Sequence, residues 1–157
     1  MASSASTQPN SRIPLDRSFK ILFNVVAVLT VITGFVLFFF PERAGGMPPG
    51  VSVAEARPLW PWPLTPLVSR YLGSLFLGVG VGAAAAARQT WWEQVRVMVI
   101  PGIVFTGMAL LSSAIHFGSF QPSRIVTWLY FALYTLVFVA ALVLSLRHEQ
   151  ASQHGEL

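Results

Sequence analysis

The chain contains no cysteine and few charges. Without thiols it can form no disulfide, thiolate metal site or iron–sulfur cluster, and thiol catalysis is excluded. Charged residues make up 10% of the 157, against about 25% in an average soluble domain. That deficit points to lipid rather than water as the solvent. The acids Asp16, Glu42, Glu55, Glu93, Glu149 and Glu156 all lie at edges, in loops or in tails of the apolar runs described below. Proton-coupled exporters and ion pumps exchange protons on an embedded carboxylate, so this class is disfavoured. Only His116 among the histidines falls in an apolar run, which excludes bis-histidine haem ligation within one chain. A zinc hydrolase needs at least three ligands, and the outer face offers His116 and two loop glutamates. No cofactor and no metal site are expected.

What the chain does have is apolar length. Hydrophobic residues make up 54%, and residues 21–40 form an uncharged run long enough for about 30 Å of hydrocarbon. A signal-peptide core is about 7–15 residues before a small-residue cleavage site. This run instead ends in FFFPER, so a retained span is expected. Further spans are expected at 66–87, 95–117 and 125–146, giving an all-α, up-and-down four-helix transmembrane bundle over residues 14–147. Residues 1–13 and 148–157 read as disordered tails, in which His148 and His154 are solvated residues rather than ligands. Thr65–Pro66 has the form of a helix N-cap followed by proline at the first helical position. TWWE, Thr90 to Glu93, matches a capping box, and Pro101–Gly102 is expected to kink or loosen the third span.

The net charge of +4 comes from basic residues scattered between apolar blocks. They form no basic stripe, so nucleic acid is not an expected partner. Counting basic residues in short loops places Arg12, Arg17, Lys20, Arg88, Arg96 and Arg147 on one side, and Arg43, Arg57, Arg70 and Arg124 on the other. The bias predicts a multi-pass protein of the cell membrane with both termini in the cytoplasm.

Three groups of residues attract attention. In the outer loop, Trp60 and Trp62 of WPWP read either as members of an interfacial aromatic belt, like Trp91 and Trp92 on the inner side, or as a rigid lid over a pocket. In the second span, Ser74, Gly78, Gly82 and Ala86 recur every four residues, a small-residue stripe suited to close helix packing. Arg70 lies one step before that stripe and either snorkels to the headgroups or binds an anion or carbonyl in the interior. Finally, Arg70, Ser113, His116 and Tyr130 are expected at a similar depth, with Tyr134 one turn beyond Tyr130. They form a candidate ligand pocket beneath Trp60 and Trp62.

The stretch WPWPLTPLVSRYLGSLFLGVGVGAA, residues 60–84, resembles a group of small bacterial four-span membrane proteins that carry a WPWPLTPL..R.LG motif. The resemblance extends loosely to WWEQVR and to HFGSF…WLYFALY, and the group is in turn loosely similar to DoxX-like membrane proteins. It implies an up-and-down four-helix bundle and no particular activity. The leading functional expectation is a non-enzymatic structural or accessory bundle that contacts the lipid bilayer and forms a homo-oligomer or joins a membrane complex. The alternative is an outer-leaflet binder or carrier of a lipid-like or small anionic ligand, using Arg70, His116 and Tyr130. An enzyme with His116 as general base is the least supported, because no nucleophile or orienting acid accompanies it.

Overall fold

A computed structural model describes residues 12–52, 55, 56 and 58–154. Its helices are α1 (Arg17–Phe39), the short α2 (Pro41–Gly45), α3 (Pro66–Ala87), α4 (Trp92–Ile115) and α5 (Ile125–His154), with a single 3-10 turn at Phe117–Ser119. Four of them are long and apolar enough to cross a membrane. The molecule is therefore an all-α four-helix bundle. Among the described residues the only β-type pairings are isolated bridges, Pro14 with Trp91 and Gly46 with Leu64.

The helix starts follow from local chemistry. Thr65 accepts from the Val68 N–H at 3.4 Å, with Pro66 at the first helical position. The expected capping box on α4 is shifted by one residue. Gln94 Oε1 accepts from the Trp91 and Thr90 N–H groups at 3.2 and 3.4 Å. Glu93 is thereby free to accept from the Ile13 N–H at 3.2 Å. α4 continues through Pro101 without interruption.

α1 and α3 form the closest pair. A Cβ added at Gly73 would lie 2.7 Å from the Phe38 nitrogen and 2.9 Å from the Gly34 oxygen, and one at Gly34 would lie 2.8 Å from the Gly73 oxygen. The two backbones touch, which in lipid gains dispersion that larger side chains would forbid. Ser69 donates to the Leu37 carbonyl at 2.9 Å across the same interface. Gly80 continues it, since its Cβ would meet Thr30 and Val31.

The small-residue stripe is therefore only partly where the spacing placed it. Ser74 and Gly78 are exposed, and a Cβ at Gly78 would meet nothing within 4 Å. Gly82 approaches only the Met98 methyl of α4, and Ala86 is buried. The reason is geometric: at 3.6 residues per turn, a four-residue step rotates about 40° around the axis. A row of such steps begins on the lipid side and ends in the core.

Both expected tails are shorter than the sequence suggested. Ile13 and Leu15 are buried beside Trp92 and Val95, with the Trp92 N–H donating to the Ile13 carbonyl at 2.8 Å. α5 runs on to His154, so the stretch from 148 to 154 is helical. His148 is buried rather than solvated. Its ring packs 5.1 Å from both Phe19 and Trp92, and its Nδ1 lies 2.9 Å from the Leu144 carbonyl. Trp92, expected in an interfacial belt, is instead 2% exposed in this cluster. The remaining tail residues, 1–11 and 155–157, lie outside the described residues. Residues 13–15 and 148–149 meet residues 90–96 at one end of the bundle, and the Pro/Trp loop lies at the other.

Candidate functional site

The loop after α1 folds back over the bundle. α2 ends at Gly46, whose φ of 68° is left-handed and therefore suits glycine. The Leu59 and Trp60 N–H groups donate to the Ala44 carbonyl, both at 3.0 Å, and the Leu64 N–H donates to the Gly45 carbonyl at 2.8 Å. Further out, Ser52 donates its hydroxyl and its N–H to Glu55, and these bonds hold the carboxyl below its ordinary range.

This anchoring drives the WPWP segment into the mouth between the helices. Pro61 is fully buried. Trp60 packs on Trp62 at 5.3 Å, on Phe76 at 5.7 Å and on Tyr130 at 6.1 Å. Trp62 packs on Phe120 at 5.0 Å and on Tyr130 at 5.5 Å. Phe76 lies ten residues into α3, roughly 15 Å along its axis. Trp60 and Pro61 thus line the space between the helices, as the lid reading of this loop requires.

A guanidinium fastens the lid, but it is not Arg70. Arg124, in the short connection before α5, donates Nη1 to the Trp60 carbonyl at 3.3 Å and Nη2 to the Pro58 carbonyl. Pro58, Pro61 and Pro63 have no N–H of their own, so this segment carries more acceptors than donors and an outside donor satisfies it. The connection is itself held in shape. Thr127, fully buried, donates to the Gln121 carbonyl at 2.9 Å, and Trp128 donates to Pro122 at 2.9 Å.

Below the lid, the α1/α3 pair stands apart from the α4/α5 pair. The space between them is a cleft of about 660 Å³ lined by all four long helices and by Trp60 and Pro61. Its walls include Phe23 and Val26 of α1, Phe76 and Val79 of α3, Pro101 and Phe105 of α4, and Leu133 and Tyr134 of α5. Among the described residues no charged side chain lines it. Its threonine hydroxyls are largely consumed locally: Thr30 donates to Val26 at 2.7 Å and Thr106 to Gly102 at 2.8 Å, each on its own helix.

Of the residues singled out in the sequence, Trp60, Trp62, Ser113 and Tyr130 come together. Ser113 donates to the Ala109 carbonyl at 2.7 Å, and its oxygen lies 3.0 Å from the Tyr130 hydroxyl. Because the single serine proton is committed to Ala109, Tyr130 is the donor in that second bond. Arg70 and His116 do not join them. Both are exposed, neither lines the cleft, and the His116 Nδ1 lies 3.1 Å from the Ser112 carbonyl of its own helix. Among the described residues no cluster of three potential metal ligands occurs.

The sequence pointed to a pocket beneath Trp60 and Trp62 but not to its apolar lining, nor to the parts played by Arg124 and Phe76. The proline excess of residues 57–63 was the one available sign that an external donor was needed.

Comparison of the chain with protein-family models, with curated proteins and with solved structures returned no match, so what this molecule does must be argued from the cleft and its lid.

Proposed function

We propose that this protein is a small multi-pass membrane protein that binds an apolar, lipid-like molecule between its two helix pairs, beneath the Trp–Pro lid. The observation carrying this reading is the cleft of about 660 Å³ without a charged residue in its described lining. Small-molecule sites span about 300–1,000 Å³ and are mostly apolar with a few polar groups. The basic residues support an orientation with both termini in the cytoplasm and the lid outside. The resemblance of the WPWP–Arg–Gly stretch to small bacterial four-span proteins supports the same bundle class. Among the described residues no charged group lines the cleft, which favours an uncharged occupant, with Arg70 and His116 taking no part.

The test is retention of lipid by the purified protein, read by native mass spectrometry. Filling the cleft through Val79→Trp or Gly102→Trp is expected to lower retention at least tenfold while the protein still melts cooperatively. Unchanged retention in both variants would sink the reading.

A second reading, self-association or docking into a membrane complex, is favoured by one observation. The Ser74–Gly78 face of α3 is smooth and exposed, with open space over Gly78. It is compatible with a ligand cleft, because the two lie on different sides of α3.

A further inference from the structure

Among the described residues that line the cleft, Tyr134, Trp60 and Thr33 carry polar groups that make no hydrogen bond. Tyr134 lines the cleft and packs on Tyr130 at 4.4 Å, but its hydroxyl makes no hydrogen bond among the described residues, whereas the Tyr130 hydroxyl is satisfied by Ser113. Trp60 also lines the cleft, and its indole Nε1 is buried without a hydrogen-bond partner. Both residues pack against the same Leu37–Phe76 cluster, so the two groups belong to one neighbourhood. Native proteins leave few buried polar groups unanswered. Apart from Thr33, the rest of the described lining is aliphatic, aromatic or satisfied on its own helix, which suits a hydrocarbon chain.

We propose that the cleft takes an uncharged lipid whose carbonyl oxygen accepts from the Tyr134 hydroxyl and whose chain runs down toward Ala83 and Phe19. This assignment rests on the cleft reading above and adds the chemistry of the head. A free acylglycerol and the ester carbonyl of a bilayer phospholipid both offer that chemistry. A fatty acid anion does not suit the site, because none of the described lining residues is a cation.

The experiment uses the full chain in nanodiscs of ether-linked phosphatidylcholine, which carries no ester carbonyl. Monooleoylglycerol and octadecane are added separately, and binding is read by native mass spectrometry for wild type, Tyr134→Phe, Trp60→Phe and Val79→Trp. Tyr134→Phe removes one unpartnered oxygen and no packing, so folding is kept. Wild type is expected to bind both probes. Tyr134→Phe weakens monooleoylglycerol roughly three- to tenfold, the worth of one hydrogen bond, and leaves octadecane within about twofold, whereas Trp60→Phe, which removes no polar group facing the cleft, moves the two probes together. Val79→Trp loses both probes. If Tyr134→Phe binds monooleoylglycerol as well as wild type does, while Val79→Trp loses it, the head assignment is overturned and the cleft reading stands. If Val79→Trp binds both probes like wild type, both fall. A parallel arm in ester-linked phosphatidylcholine identifies the source. Phospholipid retained by wild type and released from Tyr134→Phe assigns the head to a bilayer lipid. Phospholipid absent from both, with monooleoylglycerol still discriminated, assigns it to a free acylglycerol.

Discussion

Arg124 donates to the Trp60 carbonyl at 3.3 Å across 64 residues of sequence, so the loop between α4 and α5 holds the lid that the loop between α1 and α3 supplies. The same guanidinium also serves Pro58. A planar fork reaches two carbonyls at once, and a lysine ammonium is a single point of charge. Hydrogen bonds to charged groups are worth about 1.5–3 kcal/mol net. Arg124→Ala is expected to lower stability by about 2 kcal/mol and to increase protease cleavage in residues 46–64, with Arg124→Lys intermediate. Equal cleavage in all three proteins would show that the fork does not restrain the lid.

Arg70 makes the contrast. It is exposed on α3, at a depth where a long side chain reaches the headgroups at low cost. Arg70→Ala is expected to shift the melting temperature by no more than an exposed substitution does, within about 0.5 kcal/mol, and to leave lipid retention in native mass spectrometry unchanged. A loss of bound lipid in Arg70→Ala would restore the outer-leaflet reading that placed Arg70 in the site.

Gly73 and Gly78 differ in the same way along one helix. A methyl at Gly73 would sit 2.7 Å from a backbone nitrogen of α1, and one at Gly78 meets nothing. Gly73→Ala is expected to cost about 1–3 kcal/mol, as overpacking does. Gly78→Ala is expected to be neutral or to stabilise by up to about 1 kcal/mol through helix propensity. Gly78→Leu separates packing within the chain from packing between copies. A smaller particle mass in mild detergent, with unchanged melting, would support self-association through this face. An unchanged mass would remove that face from consideration.

The four spans were legible because long apolar runs have one stable form in lipid, and the start of α3 was legible because Thr65 and Pro66 fit few other roles. The site was legible only in part. Tyr130, Ser113, Trp60 and Trp62 share a level, and depth along a helix can be counted at 1.5 Å per residue. Azimuth cannot be counted as well. Arg70 and His116 have the right depth but face outward, and Ser74 and Gly78 drift off the packing face that Ser69, Gly73 and Gly80 occupy. Contacts between distant loops, such as Arg124 with Pro58 and Trp60, follow from tertiary assembly and leave no periodic trace. The polar composition of the C-terminal segment suggested a solvated tail because composition does not reveal that one turn of it meets Trp92.

That turn gives the last prediction. Glu149 accepts from Arg96 Nε at 2.8 Å and from Trp92 Nε1 at 3.3 Å, and His148 packs edge-on against Phe19 and tilted against Trp92. The ion pair is half exposed and is worth at most about 1 kcal/mol. The larger share comes from the His148 ring, which closes an aromatic cluster joining α1, α4 and α5, and from the acceptor that Glu149 provides for the Trp92 indole. Ending the chain after Arg147 is therefore expected to lower stability by about 2–3 kcal/mol, through lost aromatic packing and a buried donor left unpaired. Glu149→Gln keeps an acceptor for Trp92 and removes only the charge, so it should cost no more than about 1 kcal/mol. Thermal melts of the two variants in the same detergent decide the matter. Truncation and Glu149→Gln giving equal, small shifts would return this segment to the role of a tail.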